Sequence, residues 1–303
     1  MTFVSKSGGC NVLSLFDGIS CGQVALERVG IKVNNYYASE INPKAMAVTM
    51  DNYPNTIQLG DVENYKNWNI DWSSIDLLIG GSPCQGFSFA GKQLNFNDSR
   101  SKLFFTYVEI LNHIRRFNPN IKFLLENVKM KKEFQDTISE YLQVQPTLIN
   151  SNLVSAQNRP RLYWTNIAEI SLPENKNIKL KDIVEKNGNY TYIDDEKTKR
   201  REYKENYLQY DINGLGHGSQ DQRAFYLNGW HGCLDTGACG KAKLLCEDGR
   251  VRKLTRIEVE RLQTLPDNYT KAIAEGEAKN RCGDGWTVDV IAHIFSYLKE
   301  REV

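Results

Sequence analysis

A regular alternation of short apolar segments with longer amphipathic ones, across residues 11–165, limits the folds open to this chain more than any other feature of its sequence. This alternation is typical of βα units around a largely parallel sheet. Apolar residues recur at helical spacing over residues 102–116, which predicts a helix packed on that sheet. The predicted strands lie near residues 11–16, 36–39, 56–59, 76–79, 122–125, 147–150 and 162–165. The sequence therefore predicts an α/β domain.

The periodic pattern fades in the second half of the chain. Residues 167–250 are a mixture rich in Asn, Lys, Asp, Tyr and Gly, with glycines crowded into residues 214–240. Regular patterns return at residues 254–265 and 287–298, the second with one apolar helical face. We expect the domain boundaries to be 1–166 for the first domain, 167–270 for a smaller, loop-rich lobe with its hinge, and 271–303 for a segment that returns to the first domain.

The composition argues against a membrane-spanning or a secreted protein. With 41% hydrophobic and 25% charged residues it is near the average of globular proteins, and no run of about 18 apolar residues could span a bilayer. The seven cysteines form no CxxC pair, and the first ten residues lack the features of a secretory signal. We therefore expect a cytoplasmic protein. Its net charge of +1 means that any surface for nucleic acid is local.

The first predicted strand ends in the segment LFDGISCG at residues 15–22, which then opens a helix. Ligands bind at the carboxyl edge of such sheets, and Gly18 and Gly22 would permit close approach of the backbone to one. Glu40 and Asp61 follow the next two strands, so two carboxylates suited to ribose hydroxyls or an adenine amino group flank the same crevice. The alternative for these acids is helix capping. The GxGxxG fingerprint is absent, which argues against a dinucleotide oxidoreductase.

A cysteine lies in the segment GGSPCQGFS at residues 80–88, directly after the strand predicted at 76–79. A rigid turn flanked by glycines buries little, which favours a reactive Cys84 over a buried structural cysteine. Residues 89–102 are rich in Gly, Asn, Ser and Lys without an apolar period, which is typical of a mobile loop that closes over a substrate. Cys84 is therefore the candidate nucleophile at this edge of the sheet.

Two polar clusters complete the candidate site: Glu126 follows one predicted strand, and Arg159 and Arg161 precede another. This combination suits methylation at carbon 5 of cytosine, which becomes nucleophilic only when a thiolate adds at carbon 6 while nitrogen 3 is protonated. Glu126 would protonate or hydrogen-bond nitrogen 3, and Arg161 would hold the carbonyl oxygen of the ring. Without a nearby thiolate, Glu126 would be a strand-end cap and both arginines surface charges.

In order and spacing these blocks resemble the motifs of the DNA (cytosine-5)-methyltransferase family, over about residues 11–165 and 251–298. The resemblance implies a Rossmann-like S-adenosylmethionine-dependent methyltransferase domain with a smaller target-recognition domain. It also implies double-stranded DNA as the partner, from which the target cytosine must be flipped out. A cognate restriction endonuclease acting separately is compatible with it, and we expect neither a metal nor a membrane. The catalytic-loop sequence looks bacterial or phage-like, whereas the segment GDGWTV at 283–288 resembles the vertebrate de novo branch.

Three groups of site residues are expected on this basis. The catalytic group is Cys84, Gln85, Glu126, Arg159 and Arg161. The cofactor-binding group is Phe16, Asp17, Gly18, Ser20, Gly22, Glu40, Ile41, Asp61, Val62, Pro83, Leu103, Trp286 and Thr287. The DNA-binding group is Ser88, Lys92, Arg100, Lys199, Arg200, Arg201, Arg223 and Arg252. Arg252 belongs to a segment resembling the motif that organises the recognition lobe, so its role is expected to be largely structural.

The family motifs leave the basic run at 197–201 and the glycine-rich stretch at 214–240 unclaimed. We expect phosphate contacts from the first and sequence choice from the second, the alternative for the basic run being a solvated surface. His231 and three cysteines of the lobe match no familiar zinc spacing, which favours scattered thiols over a metal site. Two alternatives stay open for the whole chain: a tRNA cytosine-5 methyltransferase with identical chemistry, and a catalytically silent DNA-binding scaffold.

Overall fold

The computed structural model describes residues 8–82, 102–193, 200–211 and 222–299, and for residues 200, 201, 210 and 211 it describes the backbone alone. No helix within these ranges is both long and apolar enough to cross a bilayer. The chain divides into two compact units. The first unit comprises Met1–Ile149, Pro160–Leu172 and Val290–Val303, and the second comprises Asn150–Arg159 and Pro173–Asp289.

A seven-stranded sheet forms the centre of the first unit. Its strands are β1 (Cys10–Leu15), β2 (Val33–Ser39), β3 (Ile57–Gln58), β4 (Leu77–Gly80), β5 (Lys122–Val128), β6 (Thr147–Asn150) and β7 (Pro160–Thr165). They lie in the order β3-β2-β1-β4-β5-β7-β6. The pairs from β3 through β5 are parallel, whereas β7 runs antiparallel to β5. The predicted α/β class with a largely parallel sheet is confirmed.

The burial of β4 explains why its sequence is one continuous apolar run. It lies in the middle of the sheet, and Leu77, Leu78 and Ile79 have no solvent exposure. A central strand of a parallel sheet is covered on both faces, so both sets of alternating side chains must be apolar. Polar functional side chains are therefore expected only after the end of such a strand, where the chain leaves the buried part of the sheet.

The helices of the first unit are α1 (Cys21–Arg28), α2 (Pro43–Asn52), α3 (Lys102–Arg115) and α4 (Lys132–Leu142). The start of α2 shows how the sequence sets these boundaries, because Asn42 accepts hydrogen bonds from the backbone nitrogens of Lys44 and Ala45 while proline takes the first helical position. The helix predicted over residues 102–116 is α3, and its face carrying Tyr107, Ile110 and Leu111 is fully buried in the main hydrophobic core.

The second unit contains a smaller sheet of short strands. They are β8 (Arg200–Tyr203), β9 (Tyr207–Asp211), β10 (Arg223–Tyr226), β11 (Lys243–Leu245) and β12 (Val251–Lys253), in the order β12-β11-β10-β9-β8. The helices from here to the carboxyl end are α5 (Leu180–Ile183), α6 (Ala238–Lys241), α7 (Arg256–Leu262), α8 (Glu275–Asp284) and α9 (Val288–Ser296), the last of which continues into the first unit. The sequence pattern did not predict this sheet, because strands of three to five residues show almost no alternation.

Candidate active site

The predicted site residues of the first unit gather at one edge of its sheet. Because β1, β2, β4 and β5 are parallel, their carboxyl ends meet at the same edge. The antiparallel strand β7 begins there, since Arg161 lies opposite Val128 at the end of β5. Arg161, at the start of β7, therefore lies at the same edge as the residues that end the parallel strands.

The turn after β1 has an unusual backbone. Phe16 and Ser20 have φ of 57° and Gly18 has φ of 59°, so three of five residues lie in the left-handed region. Non-glycine residues adopt this conformation rarely and at an energetic cost, which concentrates at functional sites. A Cβ at Gly18 would meet no atom within 4 Å, so the turn is open there. Gly22, in contrast, is buried within the first turns of α1.

Glu40 ties this turn to the end of β2. Its Oε2 accepts a hydrogen bond from the nitrogen of Gly18 at 2.8 Å, and its Oε1 accepts from the nitrogens of Ile41 and Asn42 at 2.9 and 2.8 Å. A carboxylate offers about four acceptor positions, so one stays available for a ligand hydroxyl on Oε2. Glu40 thus shapes the crevice and can also bind within it.

The carboxylate of Asp17 faces protein hydroxyl groups. Tyr36 donates a hydrogen bond to its Oδ1 at 2.8 Å, and the hydroxyl of Ser20 donates to its Oδ2. Burial raises the pKa of Asp17 from 3.8 to about 6, against hydrogen bonds from Ser14, Ser20 and Tyr36 that favour the ionised form. Asp17 therefore holds the turn in shape, with β2 and the start of α1 as its partners.

The remaining predicted cofactor residues of the first unit differ in their exposure. Ile41, two residues after the end of β2, is 72% exposed. Asp61 is exposed, and its Oδ1 accepts a hydrogen bond from the nitrogen of Glu63 at 2.9 Å. Val62 is buried in the main core, and Leu103 packs against the same core. Exposed apolar surface beside carboxylates is what an adenosyl group would need.

The segment after β4, which precedes Cys84 in the sequence, is hydrogen-bonded to β5. The buried side-chain amide of Asn127 donates to the carbonyl oxygen of Ser82 at 3.2 Å and to its hydroxyl at 3.3 Å. A Cβ at Gly80 would lie 3.0 Å from the carbonyl oxygen of Leu15, so the backbones approach closely there. The predictions at Pro83, Cys84, Gln85, Ser88, Lys92 and Arg100 fall outside the described residues. Described structure therefore leads to within two residues of the candidate nucleophile.

Glu126 and Arg161 form an ion pair at this edge. The Nε of Arg161 lies 2.9 Å from Oε1 of Glu126, and the two side chains are 12% and 11% exposed. Glu126 lies opposite Tyr163 in the β5–β7 ladder, so Arg161 is its diagonal neighbour on the same face. Arg161 also donates to the carbonyl oxygen of Pro160 at 3.0 Å. The two groups predicted to handle the base are thus brought together, nearly buried but open to solvent on one side.

Arg159 is only two residues from Arg161, yet its side chain is buried in the second unit. Its Nη1 donates to the carbonyl oxygen of Leu234 at 2.7 Å and to the sulfur of Cys233 at 3.4 Å. Its Nη2 donates to the carbonyl oxygens of Gly283 and Gly285 at 3.1 and 2.9 Å. Four of the five donors of this guanidinium are therefore engaged with the protein.

Two further predicted cofactor residues, Trp286 and Thr287, also lie in the second unit. Trp286 is partly buried and Thr287 is 1% exposed. The Thr287 hydroxyl donates to Oε1 of Gln263 at 2.9 Å and accepts from the Ser151 hydroxyl at 2.9 Å. Thr287 is thus part of a buried polar network of this unit.

Among the predicted DNA-binding residues, Arg252 is the most deeply buried of those described. Its guanidinium donates to both carboxylate oxygens of Glu258, at 2.8 and 2.7 Å, and lies 4.1 Å from the centre of the Tyr190 ring. Burial alone would lower the pKa of Arg252, but the hydrogen bonds and charge of Glu258 raise it. This bidentate pair joins β12 to α7, which agrees with the structural role expected for Arg252.

The other basic residues of the second unit are less constrained. Arg223 is partly buried in β10, with its guanidinium 4.8 Å from the centre of the Tyr207 ring. Arg200 and Arg201 lie in β8, where only the backbone is described, and Lys199 falls outside the described residues. In the described ranges no three His, Cys, Asp or Glu side chains are grouped to hold a metal.

Sequence reasoning missed the residues that support the predicted ones. Asn127 directly follows Glu126, but its bonds to Ser82 span 45 residues and leave no local signal. Tyr36 reaches Asp17 across 19 residues in the same way. The sequence offered one signal for such residues, namely a polar side chain within a strand that is otherwise apolar. A buried polar group needs a hydrogen-bonding partner, but the sequence does not say which one.

Comparison with known proteins agrees with this geometry. A family model described as C-5 cytosine-specific DNA methylase matches residues 10–300. The chain is 29% identical to the type II methyltransferase M.HpaII of Haemophilus parainfluenzae over 317 residues, which cover 92% of this chain and 86% of that protein. It is 33% identical to the orphan methyltransferase M.SPRI of Bacillus phage SPR over 195 residues. That match covers 59% of this chain and 43% of the phage protein, so the chain spans less than half of that relative.

Solved structures show the fold. The Dnmt2 methyltransferase of S. pombe has a TM-score of 0.68 at 19% identity, and the Entamoeba histolytica methyltransferase EhMeth has a TM-score of 0.70 at 17% identity. Each match covers 96% of this chain and 98% of the other. The architecture is thus the Rossmann-like α/β fold of methyltransferases. Since the family model spans nearly the whole sequence, this chain belongs to the C-5 cytosine-specific DNA methylase family.

Proposed function

We propose that this protein is a DNA (cytosine-5-)-methyltransferase that transfers a methyl group from S-adenosylmethionine to a cytosine of double-stranded DNA. The observation that carries the proposal is the nearly buried ion pair of Glu126 and Arg161. The strand of Glu126, β5, binds Ser82, which is two residues before Cys84 in the sequence. A carboxyl group and a guanidinium side by side match the nitrogen 3 and carbonyl edge of a cytosine.

In the proposed reaction the Cys84 thiolate forms a bond to carbon 6 of the ring. The electron pair of the carbon 5–carbon 6 double bond moves toward nitrogen 3, which takes a proton through Glu126. Arg161 holds the carbonyl oxygen and orients the ring. The adduct is an enamine, nucleophilic at carbon 5. Carbon 5 would take the methyl group as the bond between that group and the sulfur of the cofactor breaks. A base, for which a water molecule is the candidate, removes the carbon 5 proton, which re-forms the carbon 5–carbon 6 double bond and expels the thiolate, and nitrogen 3 returns its proton to Glu126.

The cofactor proposal rests on the fit of the crevice after β1 and β2. S-adenosylmethionine, when bound, supplies an electrophilic methyl group. Gly18 leaves open space in the turn, Glu40 and Asp61 offer carboxylate oxygens, and Ile41 offers an exposed apolar side chain for a flat ring. These residues fit an adenosyl group with its ribose hydroxyls. We propose that Phe16, Gly18 and Ile41 contact it, and that Asp17 and Ser20 position the turn.

Double-stranded DNA is the proposed partner, and the target base must leave the stack before a thiolate can reach carbon 6. We propose that residues 1–166 carry the chemistry and that 167–270 contain target recognition. Of the segment 271–303, which was expected to return to the first domain, residues 290–303 belong to the first unit and residues 271–289 to the second. Sequence choice is assigned to residues 214–240, a range that includes Arg223. Within the second unit, the engaged donors of Arg159 and Arg252 support a positioning role for both.

The test measures transfer of labelled methyl groups from S-adenosylmethionine to duplex DNA and, in parallel, to tRNA. We expect transfer to DNA, and we expect Cys84→Ser to remove nearly all of it while cofactor binding survives, because a neutral hydroxyl is a much weaker nucleophile than a thiolate. Transfer to tRNA alone would show the same chemistry on another substrate. A Cys84→Ser variant with more than a tenth of wild-type turnover would falsify the nucleophile assignment.

A further inference from the structure

A group of exposed lysines follows β5, immediately after the Glu126–Arg161 pair. Lys129, Lys131 and Lys132 are all exposed, and the side chains of the last two are 68% and 74% accessible. We call these three residues the lysine ridge. Lys129 is three positions after Glu126 in the sequence, which limits the distance between their Cα atoms to about 10 Å. The ridge therefore lies at the edge of the sheet that handles the base.

The backbone of the ridge is anchored by Met130. This residue is partly buried and packs against the main hydrophobic core, and its carbonyl oxygen accepts a hydrogen bond from the side chain of Gln135 at 2.7 Å. Lys129 and Lys131 flank that anchor on either side. The two charges are thus presented from a fixed stretch of backbone, which reduces the ordering cost of a contact.

The positive charge of the ridge is poorly neutralised. Lys131 lies 3.8 Å from Glu133, and Lys132 forms an i,i+4 pair with Asp136, but all these side chains are exposed. Exposed pairs of this kind contribute little and exchange readily for other partners. Among the described residues no acid lies within ion-pair distance of Lys129. The acid nearest in sequence on the side of the site, Glu126, is already paired with Arg161.

We infer that Lys129 and Lys131 bind phosphates of the DNA strand that carries the flipped cytosine, a contact that rests on the proposed function. A base can lie between Glu126 and Arg161 only if its own sugar and phosphates reach the same edge. Phosphates follow one another along a strand at intervals that flexible lysine side chains can span from two nearby backbone positions. The contact supplies affinity and alignment of the strand, and it carries no information on sequence.

The test compares two variants that each remove two positive charges from the first unit. The first is Lys129→Gln with Lys131→Gln, and Lys132 is kept because its pair supports the first turns of α4. The matched control is Lys32→Gln with Arg116→Gln, two exposed residues that precede β2 and β5 and so lie at the opposite edge of the sheet. Duplex binding is measured by fluorescence anisotropy over a series of salt concentrations, alongside cofactor binding and thermal unfolding.

We expect the ridge variant to reduce the slope of log K against log salt by about 2, because each phosphate contact contributes about 0.9. Affinity near 0.1 M salt should fall by roughly tenfold for each contact, equally for all duplex sequences. Cofactor binding and the methylated sequence should not change. A ridge variant with the slope of wild type, in an enzyme that methylates DNA, overturns this inference alone. A wild-type protein that transfers no methyl group to DNA overturns the proposed function and this contact with it.

Discussion

Replacement of Glu126 by glutamine tests the pair at the centre of the candidate site. At 2.9 Å the Coulomb attraction to Arg161 is about 6 kcal/mol for an effective dielectric constant of 20, before the cost of desolvating two groups that are 11–12% exposed. Glutamine keeps the shape and one acceptor oxygen but removes the charge. We expect the free energy of unfolding to fall by about 1.5–3 kcal/mol, which is the usual contribution of a hydrogen bond to a charged group.

We expect Glu126→Gln to lower the rate of the chemical step by a larger factor than its loss of stability would suggest. Loss of a positioned proton donor or acceptor typically lowers a rate by about 10²–10⁴-fold. The rate is measured in a single turnover with enzyme in excess over labelled duplex, below the unfolding temperature of the variant. Asp76→Asn is the control, since this carboxylate precedes β4 at the opposite edge and accepts a hydrogen bond from the nitrogen of Asn11 at 2.8 Å. A Glu126→Gln rate within threefold of the control would refute the proposed role of Glu126.

Three further predictions concern residues that shape the two units. Burial raises the folded-state pKa of Asp17 to about 6, so the wild type should lose stability as pH rises from about 4 to about 6, and urea unfolding of Asp17→Asn should lack that loss. Gly283→Ala would place a Cβ 1.9 Å from the carbonyl oxygen of Asp235, so its melting temperature should fall, whereas Gly240→Ala, which meets no atom within 4 Å, should leave it within a degree or two. Arg159→Lys keeps the charge, but its donors radiate from one nitrogen and cannot span the carbonyl oxygens that Nη1 and Nη2 reach separately, so calorimetry should show a loss of about 2–4 kcal/mol; an unchanged unfolding transition would contradict its positioning role.

The sequence was most informative where structure follows from local patterns. All seven predicted strands of the first domain overlap β1 to β7, because buried strands must be apolar on both faces and turns must interrupt them. The strand pattern did not predict that Glu126 and Arg161 meet, because the end of β5 and the start of β7 share an edge only through the antiparallel direction of β7. Strand periodicity located both residues in the sequence of strands, and the expectation that they act together came from the chemistry of the base.

What could not be predicted depends on contacts between distant parts of the chain. Arg159 and Arg161 are equivalent by sequence, yet Arg159 binds carbonyl oxygens 75 to 126 residues away. The same holds for Thr287, whose hydroxyl is engaged by Ser151 from 136 residues away. Whether a polar group meets a ligand or the protein itself is decided by packing, which leaves no periodic trace in the sequence.

The reversed direction of β7 restricts how the chain can vary in length. Side chains in a strand alternate between faces, so one residue inserted in β7 between Arg161 and Tyr163 would turn the guanidinium of Arg161 away from Glu126. Two inserted residues would restore the face but displace the guanidinium by about 6–7 Å, beyond the reach of an ion pair. Insertions should therefore be tolerated in the connections before Pro160 and rejected between Arg161 and Tyr163. The catalytic edge depends on the register of a single antiparallel ladder, whatever the length of the loops that lead to it.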